Sequence, residues 1–170
     1  MDGVDKFRDK LPKLSALTDA DARVACLSKF AHHELCAVEL FAWALLAFPS
    51  LPVALRRGFV QTLAEEQTHC RLYLQRLEAH GARFGDLRLS DYFWKHTRAI
   101  VESTNPVIAF LCVMGLTLEQ ANLDFTLMFR DAFRAAGDAE TADVIQRVHD
   151  DEIGHVKLAA MWTRKLAGSD

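Results

Sequence analysis

From residue 19 onward the apolar residues of this chain recur at three- and four-residue intervals, the spacing that lines one face of an α-helix. Leu27, Phe30, Val38, Phe41 and Leu45 share one stripe, and Glu34 falls on it with them. A first helix is predicted over 19–47, opened by a capping box of Thr18 with Asp21. Pro49 and Pro52 bound a tight connection, because proline breaks a helix interior. A second helix follows over 52–80, with Phe59, Leu63, Tyr73 and Leu77 on the face of Glu66, and Gly81 closes it. The crossover after Gly81 reads as loop at Phe84-Gly85-Asp86 and as a short helix over 90–103. Asn105 as cap and Pro106 at the first helical position start a third helix over 105–136. Gly137 stops it, and Asp138 caps a fourth over 138–166. Residues 1–18 are polar and weakly patterned, an arm lying on the body.

Short links within each helix pair force antiparallel hairpins, and the long middle connection lets the hairpins pack together. The expectation is an all-α chain, a four-helix bundle forming one domain over 1–170. A 51% hydrophobic share with 8 glycines and 4 prolines suits a packed helical protein rather than a disordered one. A formal charge of −3 and a pI near 6.2 leave no basic footprint for tight nucleic-acid binding. Asp2, Asp5 and Lys6 stand where a signal peptide would carry a basic stretch and an apolar run, so no leader is expected. The longest apolar stretches, 40–48 and 107–118, are too short to span a bilayer, so no membrane partner is expected. Cys26, Cys36, Cys70 and Cys112 make no Cys-x-x-Cys pair; isolated thiols on apolar helices fit a reducing cytoplasm. Cys26, Cys36 and Cys112 read as small buried hydrophobes, and Cys70 lies beside His69.

Glu-x-x-His occurs twice, as Glu66-Gln67-Thr68-His69 and Glu152-Ile153-Gly154-His155. Residues three apart share a helix face, so each motif aims a carboxylate and an imidazole at one point. A lone acid precedes each motif at nearly the same distance: Glu34 lies 32 positions before Glu66, and Glu119 lies 33 before Glu152. Both halves repeat an acid five residues on, at Glu39 and Asp124. Two such motifs with one glutamate from each of two other helices form the ligand set of a dinuclear metal site in a helical bundle. On the first helix Glu34 is preferred, since its offset matches that of Glu119 and its face carries Phe30, Val38 and Phe41; Glu39 is the alternative. Four carboxylates converging in a core repel one another, and two divalent cations neutralise them. Carboxylate oxygens with one imidazole per ion favour iron or manganese over zinc. The candidate catalytic and metal-ligating residues are therefore Glu34, Glu66, His69, Glu119, Glu152 and His155. Asp151 and Glu65 are placed to accept the outer N–H of the imidazole on the opposing helix. Tyr73 lies one turn beyond His69 on the same face. His149 reads as a packing or supporting histidine; His32, His33, His80 and His96 carry no pattern; Trp43, Trp94 and Trp162 read as core or interface aromatics.

Several strings carry a family likeness. They are His33-Glu34-Leu35 with Ala37-Val38-Glu39-Leu40, Glu65-Glu66-Gln67 with His69, Leu72-Tyr73 and Arg76-Leu77, then Phe84-Gly85-Asp86 and Tyr92-Phe93-Trp94. Glu119-Gln120-Ala121-Asn122-Leu123-Asp124-Phe125 and Asp151-Glu152-Ile153 with His155-Val156 complete them. With these the chain resembles the ferritin-like superfamily, and within it most closely an uncharacterised family catalogued as a domain of unknown function. It is also distantly similar to tRNA-modifying di-iron hydroxylases. The resemblance implies that Glu66 and Glu152 bridge two metals, with Glu34 and His69 completing one ion and Glu119 and His155 the other. Four glutamates with two histidines look more like bacterioferritin, rubrerythrin and oxygen-activating enzymes than like iron-storing ferritins. The implied cofactors are two metal ions, an iron pair or a manganese and iron pair. The implied function is oxidation or hydroxylation of a small organic substrate with oxygen or peroxide, helped by an external electron donor and compatible with a homodimer. The alternative is a ferroxidase or metal-handling protein without an organic substrate.

Overall fold

The computed structural model describes residues 10–168, and among them every regular element is helical. Helix α1 (Ala20–Ala47) and helix α2 (Val53–Ala79) pack along each other across a short turn. Asp19, not Thr18, caps α1: its carboxylate accepts the Asp21 N–H at 3.1 Å, where a capping box of Thr18 with Asp21 was expected. An acid one residue later competes for the same orphan donors and is the stronger acceptor. Arg56 ties the turn by donating to the carbonyls of Leu45, Phe48 and Pro49, which the end of α1 leaves without helical partners. Helix α2 ends at His80, and Gly81 takes the left-handed conformation (φ 77°) that reverses the chain.

The crossover carries less helix than expected. In place of a helix over 90–103 there is a 3₁₀ turn at Trp94–His96 running into the short helix α3 (Thr97–Val101). The expected third helix is interrupted as well: α4 (Pro106–Val113) passes into a π-helical segment, Met114–Glu119, before α5 (Gln120–Ala135) resumes. Asn105 caps α4 by accepting the Ile108 N–H. Helix α6 (Ala139–Ala167) is capped by Asp138 and closes at Gly168 with φ 73°. It packs against α5, α4, the π segment and α2. Residues 1–9 of the expected arm lie outside the described residues; of the rest, Leu14–Ala16 form a 3₁₀ turn and Leu17 is fully buried.

Two apolar clusters hold these helices together. Leu40, Phe41, Phe59, Phe110, Met114 and Trp162 make one; Leu27, Tyr73, Leu77, Phe133, Ile145 and Val148 belong to the other. In α1 the two sets fall on either side of residue 34, in α2 on either side of 66 and 69, and in α6 on either side of 152 and 155. The Glu and His positions thus form a polar layer closed at both ends by hydrocarbon. Each large side chain in those plugs contributes roughly 1.5–3 kcal/mol by leaving water, which offsets the cost of the buried acids between them.

Among the described residues Ala20–Ala47 and Pro106–Ala135 are long and apolar enough to cross a membrane by length and composition, where the contiguous apolar stretches alone had looked too short. The core helix of a water-borne protein meets the same criterion, and Glu34 and Glu119, midway along these segments, are buried within the protein. Cys26, Cys36 and Cys70 are buried, burial pushing the Cys26 thiol up to about 12. Cys112, expected inside, is only half-buried.

Candidate metal centre

Each long helix contributes to the polar layer from its middle turns. Glu34 comes from α1, Glu66 and His69 from α2, Glu119 from the last position of the π segment, and Glu152 and His155 from α6, all of them buried. Glu34, Glu66, His69 and Glu152 place one ligand atom each within 4.8 Å of one another, and so do Glu66, Glu119, Glu152 and His155. Glu66 and Glu152 belong to both groups. Either group is able to hold a metal ion. Glu39 is not among them: it accepts a hydrogen bond from Trp94 Nε1 at 2.8 Å, on the side of α1 that faces the crossover. Its counterpart Asp124 is exposed.

The two imidazoles are held from outside by acids on facing helices. His69 Nε2 lies 3.0 Å from Asp151 Oδ2, and His155 Nε2 lies 2.8 Å from Glu65 Oε2. A carboxylate accepts, so each Nε2 carries the proton and donates, and each Nδ1 turns inward to the carboxylates. His155 Nδ1 sits 3.0 Å from Glu66 and 3.1 Å from Glu152; His69 Nδ1 sits 3.5 Å from Glu66 and 4.0 Å from Glu34. Asn122, which no sequence pattern singled out, donates from Nδ2 to Glu152 Oε1 at 3.1 Å. It lies three residues after Glu119, the same-face spacing that marks the Glu-x-x-His pairs, and that spacing was the available signal. His149 pairs with the Thr126 hydroxyl at 2.9 Å, a supporting position rather than a ligand's.

Charge explains what the layer demands. Burial first, then the neighbouring carboxylates, pushes Glu34 and Glu152 well above the usual range. Burial also acts to raise Glu66, but the imidazoles of His155 and His69 outweigh it and hold Glu66 down to about 2. Both histidines, which burial alone would push down, are raised by those acids. Without a cation, then, the cluster balances its charge only by carrying protons. Even so, both Glu66 oxygens and His69 Nδ1 are sealed from solvent with no well-directed hydrogen bond. Orphaned buried acceptors flanked by further carboxylates are what a divalent cation satisfies, and the oxygen-rich donor set suits a hard or borderline metal.

The π segment explains how Glu119 reaches the layer. A π turn carries one residue more than an α turn and is common at functional sites. Here the Thr117 hydroxyl donates to the Cys112 carbonyl, five residues back, at 2.9 Å. Gly115 permits the close approach, since a Cβ there would stand 2.1 Å from the Cβ of Ala159 on α6. Beside the layer lies a cavity of about 370 Å³ into which Glu34, Glu119 and Glu152 face. Tyr73 lines it, fully buried, and its hydroxyl is pushed well above 10 by burial and then by Glu34 and the other acids. His33, stacked on Phe93 at 5.2 Å, lines it too.

Comparison with known proteins gives a family and no activity. An uncharacterized protein of Haemophilus influenzae is 24% identical over 164 residues, 92% of this chain. The chain spans 56% of that relative's length. No solved structure matches. The family model described as "Protein of unknown function (DUF455)" matches residues 6–170, and the chain belongs to that family.

Proposed function

We propose that this chain is a single ferritin-like di-metal domain that uses oxygen or peroxide to oxidise or hydroxylate a small organic molecule. The observation that carries the reading is the sharing of Glu66 and Glu152 by two overlapping donor groups, one completed by Glu34 and His69 and the other by Glu119 and His155. Shared carboxylates are the means by which two cations sit side by side in a helical core. An iron pair, or manganese with iron, suits the donors; bound in the reduced state it would supply the electrons for oxygen chemistry.

The protein's own part follows from its geometry. Asp151 and Glu65 hold the imidazoles so that Nδ1 faces inward, and Asn122 fixes the rotamer of Glu152. The apolar plugs above and below the layer close it to water at its two ends. The cavity at Glu34, Glu119 and Glu152 gives an organic molecule a place to stand, which metal handling alone does not require. No Cys-x-x-Cys module lies within these 170 residues, so electrons would come from an external donor. The unpaired thiols fit a reducing cytoplasm.

Anaerobic titration with ferrous iron tests the proposal. Two ions per chain, followed by a change in the iron spectrum on admitting oxygen, is the expected result. One tight ion with a mononuclear spectrum would overturn the dinuclear reading, and a spectrum indifferent to oxygen would overturn the oxidative one. Assembly into a large hollow shell on a sizing column would favour iron storage instead.

A further inference from the structure

The cavity beside the polar layer has a chemistry of its own. At about 370 Å³ it lies toward the small end of ligand pockets. Phe30, Tyr73 and Phe129 form its inner wall, with Phe30 packed at 5.4 Å on Tyr73 and edge-on at 5.2 Å to Phe129. Phe93 adds a ring that stacks on His33. Two more aromatics, Tyr92 at 55% and Phe125 at 50% exposure, stand at the rim, where large apolar side chains without cover are costly. Tyr92 comes from the crossover and Phe125 from α5, so the mouth opens between them.

The polar groups in the lining narrow the choice of occupant. Among the described residues no lysine or arginine lines the chamber, so a carboxylate or phosphate group would enter without a counter-charge from them and meet Glu34, Glu119 and Glu152. Four carboxylates also balance two divalent ions, which leaves no excess charge to draw in an amine. Rings set edge-to-face and tilted around a void complement another flat ring better than a flexible chain, because each face-to-edge contact aligns ring quadrupoles. His33 and Asn122, and the Thr117 hydroxyl as an acceptor, offer hydrogen bonds that would orient one polar substituent.

We propose that this chamber binds a small, uncharged aromatic molecule and presents it to the Glu34, Glu119 and Glu152 side of the centre. The inference rests on the di-metal reading for what happens to the molecule, but its binding step does not need the metal.

Calorimetric titration with indole tests it on the full chain, metal-free and loaded with manganese(II). Indole is expected to bind once per chain in both forms, more tightly than indole-3-acetate, which adds an anion, and than n-octanol, which replaces the ring by a chain. Ala121 is exposed at the rim, so Ala121→Trp should fill the mouth without disturbing the fold and weaken indole at least about tenfold. Phe125→Ala, which removes one rim ring, should weaken it about fivefold and decides the matter if circular dichroism shows Ala121→Trp unfolded. Both variants should bind as many metal ions as the parent. Absence of saturable indole binding, tighter binding of either competitor, or unchanged affinity in the folded variants would overturn the proposal. Two bound ions with no indole would remove the chamber's ligand and leave the di-metal reading; indole binding without two ions would do the reverse.

Discussion

At the scale of single residues the layer separates groups that touch the proposed ions from groups that hold those in place. Asp151 belongs to the second kind, because its oxygen lies 3.0 Å from His69 Nε2 while the ring's other nitrogen faces the carboxylates. Asp151→Asn keeps the size and removes the charge that raises the basicity of His69. Metal affinity should fall roughly 10–100-fold with helicity intact, read by competition against a chelator; affinity equal to the parent's would contradict the role. The two acids of α1 provide a paired contrast. Glu34→Ala should lose one ion or its reactivity, whereas Glu39→Ala should keep both and lose only the bond to Trp94 Nε1. The reverse outcome would show that the helix register is misassigned. The convergence of Glu34, Glu66, His69, Glu119, Glu152 and His155 was legible in the sequence, because i to i+3 spacing and the near-equal offsets of the two halves are properties of the chain itself. Asn122 was not singled out, since an amide on a helix has many ordinary uses and its spacing from Glu119 gains meaning only with its distance to Glu152.

At the scale of elements, helix ends and the π segment carry the information. Gly115→Ala would set a methyl 2.1 Å from the Ala159 Cβ, backbone-borne atoms with no flexible end to yield. The π segment must then move away from α6 and take Glu119 with it. A loss of roughly 1–3 kcal/mol in urea unfolding is expected from such overpacking, together with weakened binding of one ion; an unchanged midpoint would show that the close approach is not needed. Asp138 links the end of α2 to the start of α6, capping α6 at the Thr141 N–H and receiving His80 at 2.7 Å and Arg76 at 3.2 Å. Burial acts to raise its pKa, but the Thr141 hydroxyl and N–H and then His80 outweigh it and hold it below the ordinary 3.8. A depressed carboxyl stabilises the fold above 3.8 and loses that contribution as pH falls below it through the folded value. Asp138→Asn should therefore flatten the acid limb of the stability profile below 3.8 and cost about 1 kcal/mol at neutral pH as the cap weakens; a parallel acid limb would count against it. Helix starts and stops were legible wherever proline, glycine or an Asx residue punctuates the pattern, as at Asn105, Gly137 and Asp138. The π interruption was not, because residues 107–118 are apolar almost throughout and such a run shows no change of phase when one residue is added to a turn. The crossover departs from the helix expected over 90–103: Tyr92 and Phe93 line the chamber instead, and regular helix is confined to the 3₁₀ turn at Trp94–His96 and to Thr97–Val101.

At the scale of the whole molecule, two hydrocarbon plugs enclose a layer whose acids have too few cations among the protein's own groups. The plugs close the layer at both ends, and burial raises the cost of every unbalanced charge within it. The upward push on Glu34, Glu152 and the imidazoles favours their protonated forms, yet Glu66 keeps two orphaned oxygens. A divalent pair relieves that cost more fully, and because the donors converge only when all the long helices are in place, the ions bind the folded chain and not the unfolded one. Binding therefore adds to global stability by mass action. At free ferrous iron or manganese(II) a hundredfold above Kd, the gain for each independent site is about 2.7 kcal/mol. For a chain of this length each kcal/mol moves Tm by about 2–4 °C, so saturating metal should raise the melting temperature by roughly 5–10 °C or more. Glu66→Gln, with Glu152→Gln in the same chain, removes both shared carboxylates and should abolish most of that rise. The double variant should respond little to metal, each protein being compared with its own metal-free form. A parent whose Tm ignores both ions, or a double variant that gains as much from them as the parent does, would show that the layer is not held for metal at all.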